Sequence, residues 1–123
     1  MENEISFKII GAAIEVHRSL GGPGLLESIY ESALIHELTL RGIKVQSQVV
    51  VPVIYKGLKM KHHLILDLLV ENKVIVEIKA TEKENVIHKS QLLTYLRLTD
   101  SRLGLLINFG TPRVKEGICR VIN

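Results

Sequence analysis

The sequence predicts a mixed α/β fold, a mixed central sheet flanked by helices. Three observations carry this. Apolar residues recur at helical spacing near the start of the chain and again around Leu92. Between them, from Ile43 to Ala80, the spacing shortens to two or becomes continuously apolar, as in strands. The resulting order is helix, helix, strand, strand, strand, helix, strand, strand, which is satisfied by helices packed on a sheet. A chain of 123 residues with 46% hydrophobic residues is expected to form one domain over residues 1–123.

The first helix is expected from Ile5 to Leu20, with Ile9, Ile10, Ala13, Ile14 and Val16 on its apolar side and Ser6 as its cap. "GGPG", Gly21 to Gly24, ends it, because neither three glycines nor a proline can continue a helix. A second helix is expected from about Leu25 to Leu40, stopped by Gly42. "IKVQSQVVVPVIYKG" then reads as a strand, with Pro52 pointing to a sheet edge or bulge and Lys56-Gly57 to a turn. Two further strands, Lys59 to Val70 and Val74 to Ala80, form a hairpin. Thr81 followed by Glu84 resembles a capping box and predicts a helix from about Glu82 to Leu98. "RLGLLINFG", Arg102 to Gly110, reads as a buried strand, and "VKEGICRVIN" as a final edge strand.

Composition narrows the function classes. The formal charge of +3 permits an anionic partner without requiring one. The single cysteine, Cys119, excludes an internal disulfide or a cysteine zinc site and is expected to be a small buried core thiol. The N-terminus has early acids and lacks the continuous apolar run of a signal peptide. No stretch approaches the ~20 apolar residues needed to span a bilayer. A cytoplasmic protein with no membrane association is the expectation.

The hairpin "LILDLLVENKVIVEIKAT" carries Asp67, Glu77 and Lys79 inside apolar runs. Buried unpaired charge is costly, so three such residues need a reason. Alternation puts Glu77 and Lys79 on one face with Ile75, and leaves Val74, Val76 and Ile78 on an apolar face. Asp67 shares its face with Ile65 and Leu69. A three-residue loop, Glu71-Asn72-Lys73, sets Val70 opposite Val74 and therefore Asp67 opposite Glu77. Opposed Cβ atoms lie about 5 Å apart. Two carboxylates that close need a shared proton, Lys79 or a divalent cation between them. Oxygen ligands suit Mg²⁺, Mn²⁺ or Ca²⁺. A Lys–carboxylate cluster, or Asp67 at a frayed strand end, accounts equally well for the pattern.

Two helices add polar residues. Glu27 and Tyr30 in "GLLESIY" are three apart and share a helix face. His88, Gln91 and Tyr95 form a polar stripe on a helix whose other side carries Leu92, Leu93 and Leu96. Such a stripe can reach phosphate oxygens or bases, or can be a solvated face. Glu27 can equally be an acid favoured by the helix dipole.

"GLLESIY", the D-x9-E-x-K hairpin, "HKSQLLTYLRLT" and "GLLINFG" together resemble the GxxExxY family of the PD-(D/E)XK nuclease superfamily, in its RecB-like and lambda-exonuclease-like branch. The resemblance runs from about Ile9 to Val121, and Gly24, Glu27 and Tyr30 match the family name literally. It implies a restriction-endonuclease-like α-β-β-β-α-β core. It also implies a Mg²⁺-dependent nuclease, with Mn²⁺ as a substitute, that hydrolyses DNA phosphodiester bonds with metal-bound water. Asp67, Glu77, the Ile78 backbone carbonyl and Glu27 would bind the metal. Lys79 would orient or activate the attacking water, and Glu27, Asp67 and Glu77 complete the catalytic set. Gln91 and Tyr95 match the Q-x-x-x-Y element that contacts the site and the DNA; His88 and Tyr30 are further candidates for contact with nucleic acid. The alternative is a non-catalytic nucleic-acid- or protein-binding module that retains the nuclease fold. A homodimer is the default assembly for a domain of this size.

Overall fold

In the computed structural model, which describes residues 1–123, two helices come first: α1 over Glu2–Ser19 and α2 over Glu27–Leu40. Both end in the same way. Gly21 (φ 91°) and Gly42 (φ 74°) take the left-handed conformation that glycine reaches without a Cβ penalty. The next amides, of Gly22 and Ile43, then reach back to the carbonyls of His17 and Leu38 at 2.8 and 2.9 Å. This is the Schellman arrangement, and it satisfies carbonyls that a helix end would otherwise orphan. The helix ends expected at "GGPG" and Gly42 are therefore present. Ser6 is not the cap of α1. It is buried within the helix, and its hydroxyl donates to the Asn3 carbonyl at 2.9 Å.

Five strands follow in one sheet of order β1-β2-β3-β4-β5: Val45–Tyr55, Leu58–Val70, Val74–Lys79, Leu103–Asn108 and Ile118–Ile122. The first three are antiparallel, β3 and β4 are parallel, and β5 closes the far edge antiparallel to β4. The parallel pair is joined by α3, Val86–Thr99. This is the mixed sheet with flanking helices that the periodicity predicts, and its order is consistent with a restriction-endonuclease-like core. Pro52 lies on the edge strand beside a register shift between Pro52 and Ile54. Lys56 and Gly57 both have positive φ and join β1 to β2 in a two-residue turn that matches strand twist. A single 3-10 turn, Val114–Gly117, precedes β5.

The sheet separates two apolar layers. Ile9, Ala13, Val16, Tyr30, Leu34 and Leu38 of α1 and α2 pack on Leu68, Val70, Val74, Val76 and Ile78. On the opposite face, Leu92 and Leu96 of α3 pack on Leu66, Ile75 and Leu106. Gly104 lies under Leu92, where an added Cβ would stand 2.9 Å from its side chain. The absence of a side chain there lets α3 settle against β4. No helix is long and apolar enough to cross a membrane.

The third helix starts later than the Thr81–Glu84 pattern suggests. Asn85 is the cap, and its side chain accepts a hydrogen bond from the Ile87 amide at 3.0 Å. Thr81 is engaged elsewhere. Buried Asn108 accepts from the Thr81 amide and donates to the Thr81 carbonyl, both at 3.0 Å. Cys119 is half-buried beside the α3 layer, not sealed in the core.

Candidate active site

The hairpin register is as the loop length dictates: Val70 faces Val74, Leu69 faces Ile75 and Leu68 faces Val76. The ladder then stops, one step before Asp67 and Glu77. At that step carboxylates of the two acids take backbone amides of the facing strand in place of backbone pairing. Glu77 Oε2 accepts from the Asp67 amide at 2.9 Å, and Asp67 Oδ2 accepts from the Ile78 amide at 2.8 Å. The carboxylates thus lock each other's strand where the strands begin to separate.

The same step reverses the faces of the first two strands. Val45 and Leu68 pack toward α1 and α2, whereas Val49 and Leu66 pack toward α3. Uniform alternation would keep each pair on one side. The change falls where Gln48 has φ 51° and where Gln48 and Asp67 drop out of the pairing, with no shift of register across the break. Consequently Leu66, and not Ile65, joins the apolar layer beside Asp67; Ile65 is exposed.

Glu77 is only 6% exposed. Burial, reinforced by the neighbouring Asp67 charge, pushes its pKa up to about 8. Glu27 stands at the first turn of α2. It remains exposed overall, but its carboxyl is partly covered, and this covering raises its pKa. The Asp67 charge acts in the same direction and Lys79 opposes it. Tyr95 is also raised, first by burial and then by Glu77 and Asp67. These mutual influences put Glu27, Asp67, Glu77, Lys79 and Tyr95 in one electrostatic environment. His88 belongs to it as well, since its charge would lower Glu27.

Lys79 and His88 also line two adjoining clefts, one with Gln91 and Thr94, the other with Thr81, Asn85, Lys89 and Asn108. Lys79 of the hairpin therefore meets His88 and Gln91 of α3. Tyr30 does not join them. It is fully buried on the α1–α2 side, stacked on Phe109 with ring centroids 4.7 Å apart. Its hydroxyl donates to the Gly22 carbonyl at 2.7 Å and accepts from the Leu25 amide at 3.2 Å. A side chain so enclosed has no surface for nucleic acid; it ties the glycine-rich loop to α2.

Two contributors lie outside the motif. Glu31, one turn beyond Glu27, accepts from the Gln48 side chain at 3.0 Å. Its pKa is raised by burial and by Asp67 and Glu27. The i,i+4 spacing from Glu27 was the available signal. Asn108 is the second. It sits opposite Lys79 in the parallel pair and clamps the segment leaving β3. A lone amide in the apolar run "LGLLINF" was its signal. Gly110 completes the clamp: its amide donates to Asn108 at 2.9 Å, and a Cβ there would fall 2.3 Å from the Thr81 carbonyl oxygen.

The donor set suits a hard divalent cation. The ion pairs of the chain are Arg18–Glu15 and Arg41–Glu37, so no basic side chain directly neutralises Asp67, Glu77, Glu27 or Glu31. Within a strand a residue's N–H and C=O point the same way. The Ile78 carbonyl therefore points with its amide toward Asp67, where the ladder has ended. No three His, Cys, Asp or Glu side chains converge closely enough to form a complete cage. Mg²⁺ needs none, since it keeps several waters and takes one or two carboxylates together with substrate phosphate.

A family model described as the PD-(D/E)XK nuclease superfamily matches residues 3–121. No curated protein matches the sequence. Among solved structures, the crystal structure of SSO0001 superposes with a TM-score of 0.62 at 21% identity, over 79% of this chain and 50% of that one. The chain thus spans half the length of that protein, and the likeness is one of fold.

Proposed function

The chain belongs to the PD-(D/E)XK nuclease superfamily, and on that footing we propose that it is a Mg²⁺-dependent nuclease that hydrolyses DNA phosphodiester bonds. The observation that carries the reading is the crossing of the two acids at the end of the hairpin ladder, where Glu77 accepts from the Asp67 amide and Asp67 from the Ile78 amide. Asp67, Glu77 and the Ile78 carbonyl would hold the cation, with Glu27 completing the set through its position on α2. When bound, a divalent cation neutralises charge developing at phosphorus and acidifies water; nucleases of this superfamily generally use one.

The chain's own residues supply the rest. Lys79 extends from the strand that carries Glu77, on the same face, and would donate to the attacking water or to a phosphoryl oxygen. Tyr95 and Gln91, spaced one turn apart on α3, would position the phosphate from the opposite side, and His88 would lie at the entrance. Asn108 fixes the segment after Lys79, so that the lysine approaches from a defined direction. The reading expects action in the cytoplasm, with Mn²⁺ as a substitute metal and a homodimer as the default assembly.

Calorimetric titration with Mg²⁺ and Mn²⁺ tests the metal assignment. The expected result is binding that disappears in Asp67→Ala and weakens in Glu77→Gln. Equal binding by all three proteins would place the cation elsewhere. Retention of DNA binding with no metal-dependent cleavage would instead indicate a binding module on the nuclease fold.

A further inference from the structure

The first two strands outrun the sheet. Pairing of β2 with β3 is confined to Leu68–Val70, whereas its pairing with β1 continues back to Leu58. From Leu58 to Leu66 the strand therefore has only β1 beside it. Apolar packing against α3 reaches as far as Val49, Val51 and Leu66. Beyond these the hairpin is a two-stranded ribbon with its tip at Lys56-Gly57.

The ribbon is basic. Its outer half carries Lys56, Lys59, Lys61, His62 and His63, all exposed. No Asp or Glu occurs between Glu37 and Asp67. Lys56 lies 5.4 Å from the ring centre of exposed Tyr55. A net charge of only +3 over the chain thus conceals a segment of one sign. That segment is continuous in β2 with Asp67 at the candidate site.

We propose that this ribbon is an arm that docks duplex DNA alongside the active site, with Lys56, Lys59 and Lys61 on its phosphates. The inference rests on the nuclease reading for the nature of the partner. Groove dimensions favour B-form DNA. The major groove of B-form DNA, about 12 Å wide, admits a two-stranded β-ribbon. Double-stranded RNA offers no such entry, because its major groove is deep and narrow. The reach also fits: eight residues separate Lys59 from Asp67, or roughly 26 Å at about 3.3 Å per residue. That distance spans about eight phosphates along one strand. The arm would therefore hold DNA well away from the scissile bond, giving a small domain a longer footprint than its cleft provides.

The test is fluorescence anisotropy of a labelled DNA duplex of about 20 base pairs, in EDTA so that no cleavage intervenes, over a salt series. Wild type is compared with a Lys56→Gln, Lys59→Gln, Lys61→Gln variant, and circular dichroism confirms that both are folded. Each lost phosphate contact lowers the slope of log affinity against log salt by about 0.9, so the triple variant is expected to lose up to about 2.7. Its affinity near 0.1 M salt is expected to fall at least about tenfold. An unchanged slope in the variant overturns the arm while leaving the nuclease reading intact. Equal, lysine-dependent binding of a single strand of the same length overturns the duplex assignment. A wild type that binds no DNA even at low salt overturns the inference together with the reading on which it rests.

Discussion

Glu77 is a buried acid whose proposed place in the site comes at the expense of the fold. Its pKa of about 8 in the folded chain exceeds the ordinary 4.5, first because of burial and then because of Asp67. A folded pKa above the unfolded one favours the protonated form. Its contribution to stability is therefore complete below about pH 4.5 and is lost as pH rises toward 8. In EDTA, urea melts of the wild type are expected to show stability falling across this window, on the order of a few kcal/mol. Glu77→Gln should flatten that fall, and Mg²⁺ should offset it in the wild type. A pH profile identical in both proteins would rule out Glu77 as its source. Lys79 has the opposite character, being half-exposed and without an ion-pair partner. Lys79→Ala is expected to leave the melting temperature nearly unchanged and to reduce turnover by about 100-fold or more. Tyr30→Phe should do the reverse: about 1 kcal/mol of stability lost with its two hydrogen bonds, at undiminished turnover per folded molecule.

At the scale of elements, the segment between β3 and α3 depends on residues distant in sequence. Asn108 satisfies both backbone groups of Thr81 from 27 positions away. Asn108→Ala leaves that buried pairing open and is expected to cost about 1–3 kcal/mol. Hydrogen exchange at the Thr81 amide should quicken more than at amides of α1; equal protection in both proteins would refute the clamp. The same contact explains why the local pattern misplaced the start of α3. Thr81 and Glu84 have the composition of a capping box, but the carbonyl and amide of Thr81 are already taken by Asn108, and Asn85 caps instead. Where a choice was local, the sequence was informative. Glycine at the left-handed position ended α1 and α2, and loop length set the hairpin register. The reversal of faces at Gln48 and Asp67 was not legible, because "LILDLLV" is apolar on both faces and fits either packing. Tyr30 was similarly ambiguous: its spacing from Glu27 is helical, but a phenol with partners in the preceding loop turns inward, whereas a carboxylate three residues earlier stays at the rim.

Across the whole molecule, the candidate site lies where its layers meet. The sheet supplies Asp67, Glu77 and Lys79, one helical layer supplies Glu27 and Glu31, and the other supplies His88, Gln91 and Tyr95. No single layer holds the set, so the proposed cleavage would require the packed fold. The scaffold separates tasks as well. Apolar Val74, Val76 and Ile78 face α1 and α2, while Glu77 and Lys79 face away on the same short strand. This strand and its partner are proposed to carry an active site. The decisive measurement incubates purified protein with labelled linear and circular, single- and double-stranded DNA in Mg²⁺, Mn²⁺ or EDTA, beside Asp67→Ala and Lys79→Ala proteins. Cleavage is expected to require metal and to be abolished or reduced at least about 100-fold in both variants. Cleavage that persists in EDTA, that survives undiminished in either variant, or that never occurs with the wild type would contradict the proposal.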